Sequence, residues 1–109
     1  MKTNKKKQIP KNYQNFVKDY PRVAKAYEEL GDAVHHAGPL DTKTRALIKL
    51  AISAASRQEG AVHSHVRKAL TAGASPEEMR HVIMLTLPTI GFPGMMAAMS
   101  WVNDIISSK

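Results

Sequence analysis

The sequence predicts an all-α fold, a helical bundle of about five to six helices, and three observations predict it. Apolar residues recur at 3.6-residue spacing along most of the chain. No segment alternates with a period of two over a useful length. Capping and stop signals fall between the periodic stretches, where helices should begin and end. A chain of 109 residues is sized for one domain with a modest core.

Each helix has its own justification. Tyr13 to Lys18 reads as a short first helix. Pro21 suits a first helical turn, and "PRVAKAYEELGDAVHHA" spaces Val23, Ala26, Tyr27, Leu30 and Val34 along one face until Gly38-Pro39 stops it. Asp41 is placed as N-cap of "DTKTRALIKLAISAASRQ". Leu47, Ile48, Leu50, Ala51, Ile52, Ala54 and Ala55 wrap most of that cylinder, which predicts a central helix. Another helix runs from about Glu59 to Ala72, with Gly73 as its C′ residue. "SPEE" then supplies N-cap Ser75, Pro76 at the first helical position and Glu78 for a capping box. It opens a helix bearing Met79, Val82, Ile83, Thr86 and Leu87. The last helix, from about Pro93, presents Phe92, Met95, Met96, Met99, Val102 and Ile106 on one side, with Ala97, Ala98, Trp101 and Ile105 covering much of the rest. So apolar a terminal helix predicts self-association, with the last two helices in the interface.

Charge and composition set further bounds. The net charge of +7 is concentrated: residues 1–18 hold Lys2, Lys5, Lys6, Lys7, Lys11 and Lys18 with no acid. Residues 19–109 hold ten Lys/Arg against nine Asp/Glu. The basicity therefore belongs to an N-terminal arm, residues 1–18, and the domain proper is residues 19–109. A solvated arm is expected rather than a nucleic-acid interface. The arm has no apolar stretch of the kind an export signal needs. Between Arg80 and Asp104 lie twenty-three residues without Lys, Arg, Asp or Glu, but Pro88, Gly91, Pro93 and Gly94 interrupt them. Two shorter helices joined by a turn are expected there, not a membrane span, and the protein is expected to be cytoplasmic. There is no cysteine, which excludes disulfides, thiolate metal sites and thiol redox chemistry.

Chemistry-bearing side chains gather in "EGAVHSHVR", residues 59–67. On a helix Val62, His65, Val66 and Ala69 share one stripe, while Glu59, His63 and Arg67 form another at spacings of four. His65 is then either a satisfied core histidine or an imidazole at a pocket wall, able to exchange a proton near neutral pH. Glu59, His63 and Arg67 form either a solvated or interfacial ion-pair ladder or a catalytic group. Glu59 and His63 would suit a metal only with a further ligand from elsewhere, and no complete ligand set is visible, so neither metal nor cofactor is expected. His35 and His36 sit in a last helical turn, where imidazolium meets the negative end of the helix dipole. His81 reads as surface.

"GPLDTKTRALIKLAISAA" followed by "EGAVHSHVRKALTAGASPEEMRHVIMLTLPTIGFPGMMAA" resembles the carboxymuconolactone decarboxylase-like family, which also contains the alkylhydroperoxidase D-like proteins. The resemblance runs from about Tyr20 to Ile106 and rests on "LDxKTR", "HVRxAL", "AGASPEE" and a Gly-Pro element in that order. It implies an alkylhydroperoxidase D-like all-α bundle that assembles as a trimer or hexamer. The peroxidase branch carries a C-x-x-C pair before a histidine; aligned on His65, those positions are Gln58 and Ala61, and the relay glutamate falls at Ala46. A thiol peroxidase needs a thiolate and a resolving thiol, so that activity is not expected. The decarboxylase branch lacks the cysteines and implies a small carboxylated or lactone substrate, decarboxylated or isomerised without a cofactor. The resemblance offers His65 as proton donor or orienter and Arg67 and Arg45 as carboxylate anchors. Glu59 is offered as a base or as the residue that orients His63. The competing expectation is a non-catalytic oligomeric scaffold or ligand-binding protein on the same fold.

Overall fold

A computed structural model describes residues 9–106, all of whose regular elements are helices. These are α1 (Lys11–Asp19), α2 (Pro21–His35), α3 (Thr42–Ala55), α4 (Glu59–Thr71), α5 (Pro76–Met84) and α6 (Leu87–Ile106). The chain divides into two compact units, Met1–Leu40 and Asp41–Lys109.

The first unit is two helices joined through Tyr20, with almost no core of its own. Among its described residues Ala24 is the buried apolar side chain. The predicted α2 stripe exists, but Val23, Tyr27, Leu30 and Val34 on it are exposed, Tyr27 to 68%. Tyr13, Phe16 and Tyr20 are exposed as well, with the Phe16 and Tyr20 rings 5.5 Å apart. The Lys-rich arm lies outside the described residues as far as Lys7; Lys11 and Lys18 stand on α1. At the end of α2 the His36 ring lies 2.9 Å from the Asp32 carbonyl, meeting a backbone acceptor of the last turn.

The second unit holds the core. Leu50 and Ala54 of α3, Val62, Val66 and Ala69 of α4, Met79 and Ile83 of α5, and Met95, Ala98, Val102 and Ile105 of α6 form one buried cluster. Capping chemistry sets its boundaries. The Asp41 carboxylate accepts from the Thr44 amide at 2.8 Å. Ser75 and Glu78 close the predicted capping box, with both reciprocal bonds formed. Glu78 also does something local pattern does not show: its Oε2 accepts from Lys43 Nζ at 2.9 Å, tying α5 to α3. Arg80 Nε donates to Asn103 Oδ1 at 3.0 Å and ties α5 to α6.

Both α3 and α4 end in Schellman turns. Behind α4, Gly73 (φ 94°) takes the left-handed position, its amide donating to Leu70 and that of Ala74 to Ala69. Behind α3 the same position is filled by Arg57 (φ 58°), a residue with a Cβ to accommodate.

Three expectations are corrected by the packing. α3 is not wrapped on all sides, because α4, α5 and α6 pack against the face of Leu50, Ser53 and Ala54 and leave Ile48 and Ile52 exposed. α5 ends at Met84, and Thr86, bonded through its hydroxyl to the Ile83 carbonyl, belongs to the link into α6. The buried stripe of α6 is Gly94, Met95, Ala98, Val102 and Ile105, so Phe92 and Met96 face outward, Phe92 at 60% exposure. Gly91 (φ 87°, ψ 165°) breaks α6 in a conformation open to glycine almost alone, so the interruption the sequence predicts is present but lies inside α6, not between a helix reaching Leu87 and one starting at Pro93. Among the described residues no helix is long and apolar enough to cross a membrane.

Two glycines should respond oppositely to the same substitution. Gly60 lies within α4 with open space around its missing Cβ. Gly60→Ala should raise stability by about 0.5–1 kcal/mol. Gly73→Ala forces a Cβ into the left-handed region and should lower stability by about 1–2 kcal/mol. Urea unfolding of the two variants checks this, and shifts of the same sign would contradict the turn geometry.

The caps also set an acid dependence. Asp41 is held below the usual carboxylate range chiefly by the Thr44 amide, and Glu78 chiefly by the Ser75 amide and then by Lys43. A lowered folded-state value stabilises above the unfolded value and loses that contribution as pH falls through the folded one. Melting temperature should therefore fall as pH drops below about 4.5. The decline should be shallower in the Asp41→Asn, Glu78→Gln double variant, and identical acid profiles for the two proteins would contradict the assignment.

Candidate functional site

α4 begins at Glu59, whose carboxylate in the first turn meets the positive end of the helix dipole. The helix buries Val62, Val66 and Ala69 completely. That seam sets which way the remaining side chains point. His63 and Arg67 lie one and two turns beyond Glu59, both half-buried, and His65 is half-buried as well.

His63 has a partner from another helix. Its Nε2 lies 3.0 Å from Oδ2 of Asp104, near the end of α6, with the imidazole 24% and the carboxylate 45% exposed. An ionised carboxylate only accepts, so in the neutral imidazole Nε2 carries the proton and donates it, leaving Nδ1 as the basic nitrogen. Glu59 completes the group. One ligand-type atom from each of Glu59, His63 and Asp104 lies within 4.8 Å of the other two.

The structure thus joins Glu59 with His63, as the sequence reading had them, but does not bring in the rest. Among the described residues no ion pair runs along α4 through Glu59, His63 and Arg67, the ladder that is one of the two readings of that stripe, and His63 instead meets Asp104 of α6. His65 is not part of the cluster. Its half-buried setting is intermediate between the core and pocket-wall expectations. Arg45 stands on α3 and donates from Nη2 to Thr42 Oγ1 at 3.3 Å.

Two features were missed from sequence. Asp104 is one; it is the sole side-chain carboxylate after Glu78, and that isolation in an uncharged stretch was the available signal. The other is Lys49, half-buried on α3, whose ammonium is pushed below its ordinary value by burial first, then by Lys68 and Arg45. Lys49 and Arg45 of α3 and Lys68 of α4 therefore share one electrostatic neighbourhood. A hollow lined by Asp19, Tyr20, Pro21, Arg22, Val23 and Ala26 opens where α1 meets α2, and none of the candidate residues lines it.

Fold and cluster together define a small all-helical protein with an imidazole–carboxylate pair at the meeting of two helices. The sequence profile of the carboxymuconolactone decarboxylase family matches residues 21–104, and the chain belongs to that family. It is also 38% identical, over 61 residues, to an uncharacterized protein of Haemophilus influenzae (strain ATCC 51907 / DSM 11121 / KW20 / Rd). That match covers 56% of this chain and 54% of the relative, so the chain spans about half the length of the curated relative it matches.

Proposed function

We propose that the protein is a cytoplasmic, homo-oligomeric enzyme that decarboxylates or isomerises a small carboxylated or lactone substrate without a cofactor. The observation that carries this reading is the 3.0 Å contact of Asp104 on α6 with His63, which shares α4 with Glu59. Loss of carbon dioxide with a double-bond shift needs cations to orient carboxylates and a group to protonate the carbanionic carbon. A carboxylate-held imidazole suits the proton transfer, and bound-carboxylate recognition falls to Arg67 and Arg45, with Lys49 and Lys68 adding to the positive field. His65 remains the alternative proton donor, and Glu59 a base or orienter. Peroxide reduction by thiols is outside this chemistry, since Gln58 and Ala61 stand at the cysteine positions and the chain has no cysteine. The exposed apolar stripe of α2 and the outward Phe92 and Met96 support self-association, and the family resemblance implies a trimer or hexamer.

A second reading, a non-catalytic scaffold or ligand-binding protein, is favoured by the hollow at α1–α2, which the candidate residues do not line. One experiment separates the two. The purified protein is screened against small carboxylates and lactones, with binding followed by thermal shift and turnover by carbon dioxide release. The enzyme reading expects a stabilising ligand that is also turned over. In His63→Ala the rate should fall by about 10²-fold or more at unchanged oligomeric state. In Arg67→Ala, KM should rise more than kcat falls. Stabilising ligands with no turnover in the wild type would favour the binding protein.

A further inference from the structure

We infer that Glu59, His63 and Asp104 form a binding site for one divalent first-row transition-metal ion per chain. The α4 sequence alone offers two ligands four residues apart, too few to hold an ion, and no metal was expected on that ground. Folding supplies the third from α6. Glu59 and His63 stand one helical turn apart on a single face, a spacing that rigid helix geometry fixes. Asp104 approaches from the neighbouring helix, and the three donor atoms fall within 4.8 Å of one another.

A metal ion with bonds of about 2.0–2.2 Å draws such donors slightly closer, a movement within the reach of the Glu59 and Asp104 side chains. The donor set is one nitrogen and two carboxylate oxygens. It favours Zn²⁺, Mn²⁺, Fe²⁺ or Co²⁺ over the all-oxygen shells of Ca²⁺ and Mg²⁺. Electrostatics point the same way. Two carboxylates share this small volume with one imidazole, Glu59 has no ion pair with a described residue, and a cation relieves the repulsion. Three protein ligands on the helix side leave the outward positions of the ion open, the arrangement of a site that takes a further ligand. With Asp104 exposed to 45%, that open side faces solvent.

The inference stands apart from the decarboxylation reading, because metal binding is measured without substrate or turnover. While an ion is bound His63 is its ligand, and the proton transfer of that reading falls to His65, the alternative donor.

The test uses the full-length chain without an affinity tag, stripped with chelator and titrated with CoCl₂ while visible d–d absorption is recorded. ZnCl₂ and MnCl₂ titrations by calorimetry accompany it. One ion per chain should bind saturably. His63→Ala and Asp104→Asn should each weaken binding by about tenfold or more. Glu59→Gln, at an exposed first-turn position that leaves the core untouched, should do the same and guards against a variant that fails to fold. His81→Ala, a surface histidine outside the cluster, should bind as the wild type does. Equal affinity in wild type, His63→Ala and Glu59→Gln would overturn the site, as would a wild type that binds none of the three ions saturably.

Discussion

The site depends on an apolar seam more than on any polar contact. Val62, Val66 and Ala69 of α4 and Ala98, Val102 and Ile105 of α6 lie in one buried cluster with Leu50, Met79 and Ile83. Burying a valine-sized side chain is worth about 1.5–3 kcal/mol, whereas a solvent-exposed ion pair contributes about 0–1 kcal/mol. Packing therefore decides where α6 lies, and the His63–Asp104 contact follows from it. Arg80 and Asn103 add a lateral tie one residue from Asp104, which limits how far the end of α6 can turn.

Features written in local chemistry were legible in the sequence. Asp41, Ser75, Glu78 and Gly73 act through atoms three to five residues away, so residue type and spacing suffice to place them. The phase of α6 was harder. Nearly every position there is apolar, and only packing distinguishes the buried Met95 and Ala98 from the outward Phe92 and Met96. Likewise the α2 stripe is periodic, yet periodicity does not say what covers it. Arg57 in a left-handed turn gave no signal, since the sequence carries no glycine to mark the end of α3.

The candidate site divides along the same line. Glu59 and His63 are neighbours by helix arithmetic alone. Asp104 is forty-one residues from His63, and only the tertiary path of α6 brings the two together. Lys49 and Lys68 stand nineteen residues apart on adjacent helices, so their mutual influence also appears only on folding. A family fold of this kind supplies a platform on which the reactive groups vary, and this chain carries no cysteine. An imidazole and two carboxylates meet at the joint between α4 and α6.

The central claim is that this joint holds His63 against Asp104 in solution. It is tested most directly by long-range ¹⁵N–¹H correlation NMR of the imidazole side chains of the chelator-treated protein at alkaline pH. The account predicts that neutral His63 carries its proton on Nε2, and that Asp104→Asn shifts its ring nitrogens while leaving those of His81 in place. A His63 ring protonated on Nδ1, or one indifferent to loss of the Asp104 carboxylate, would contradict it.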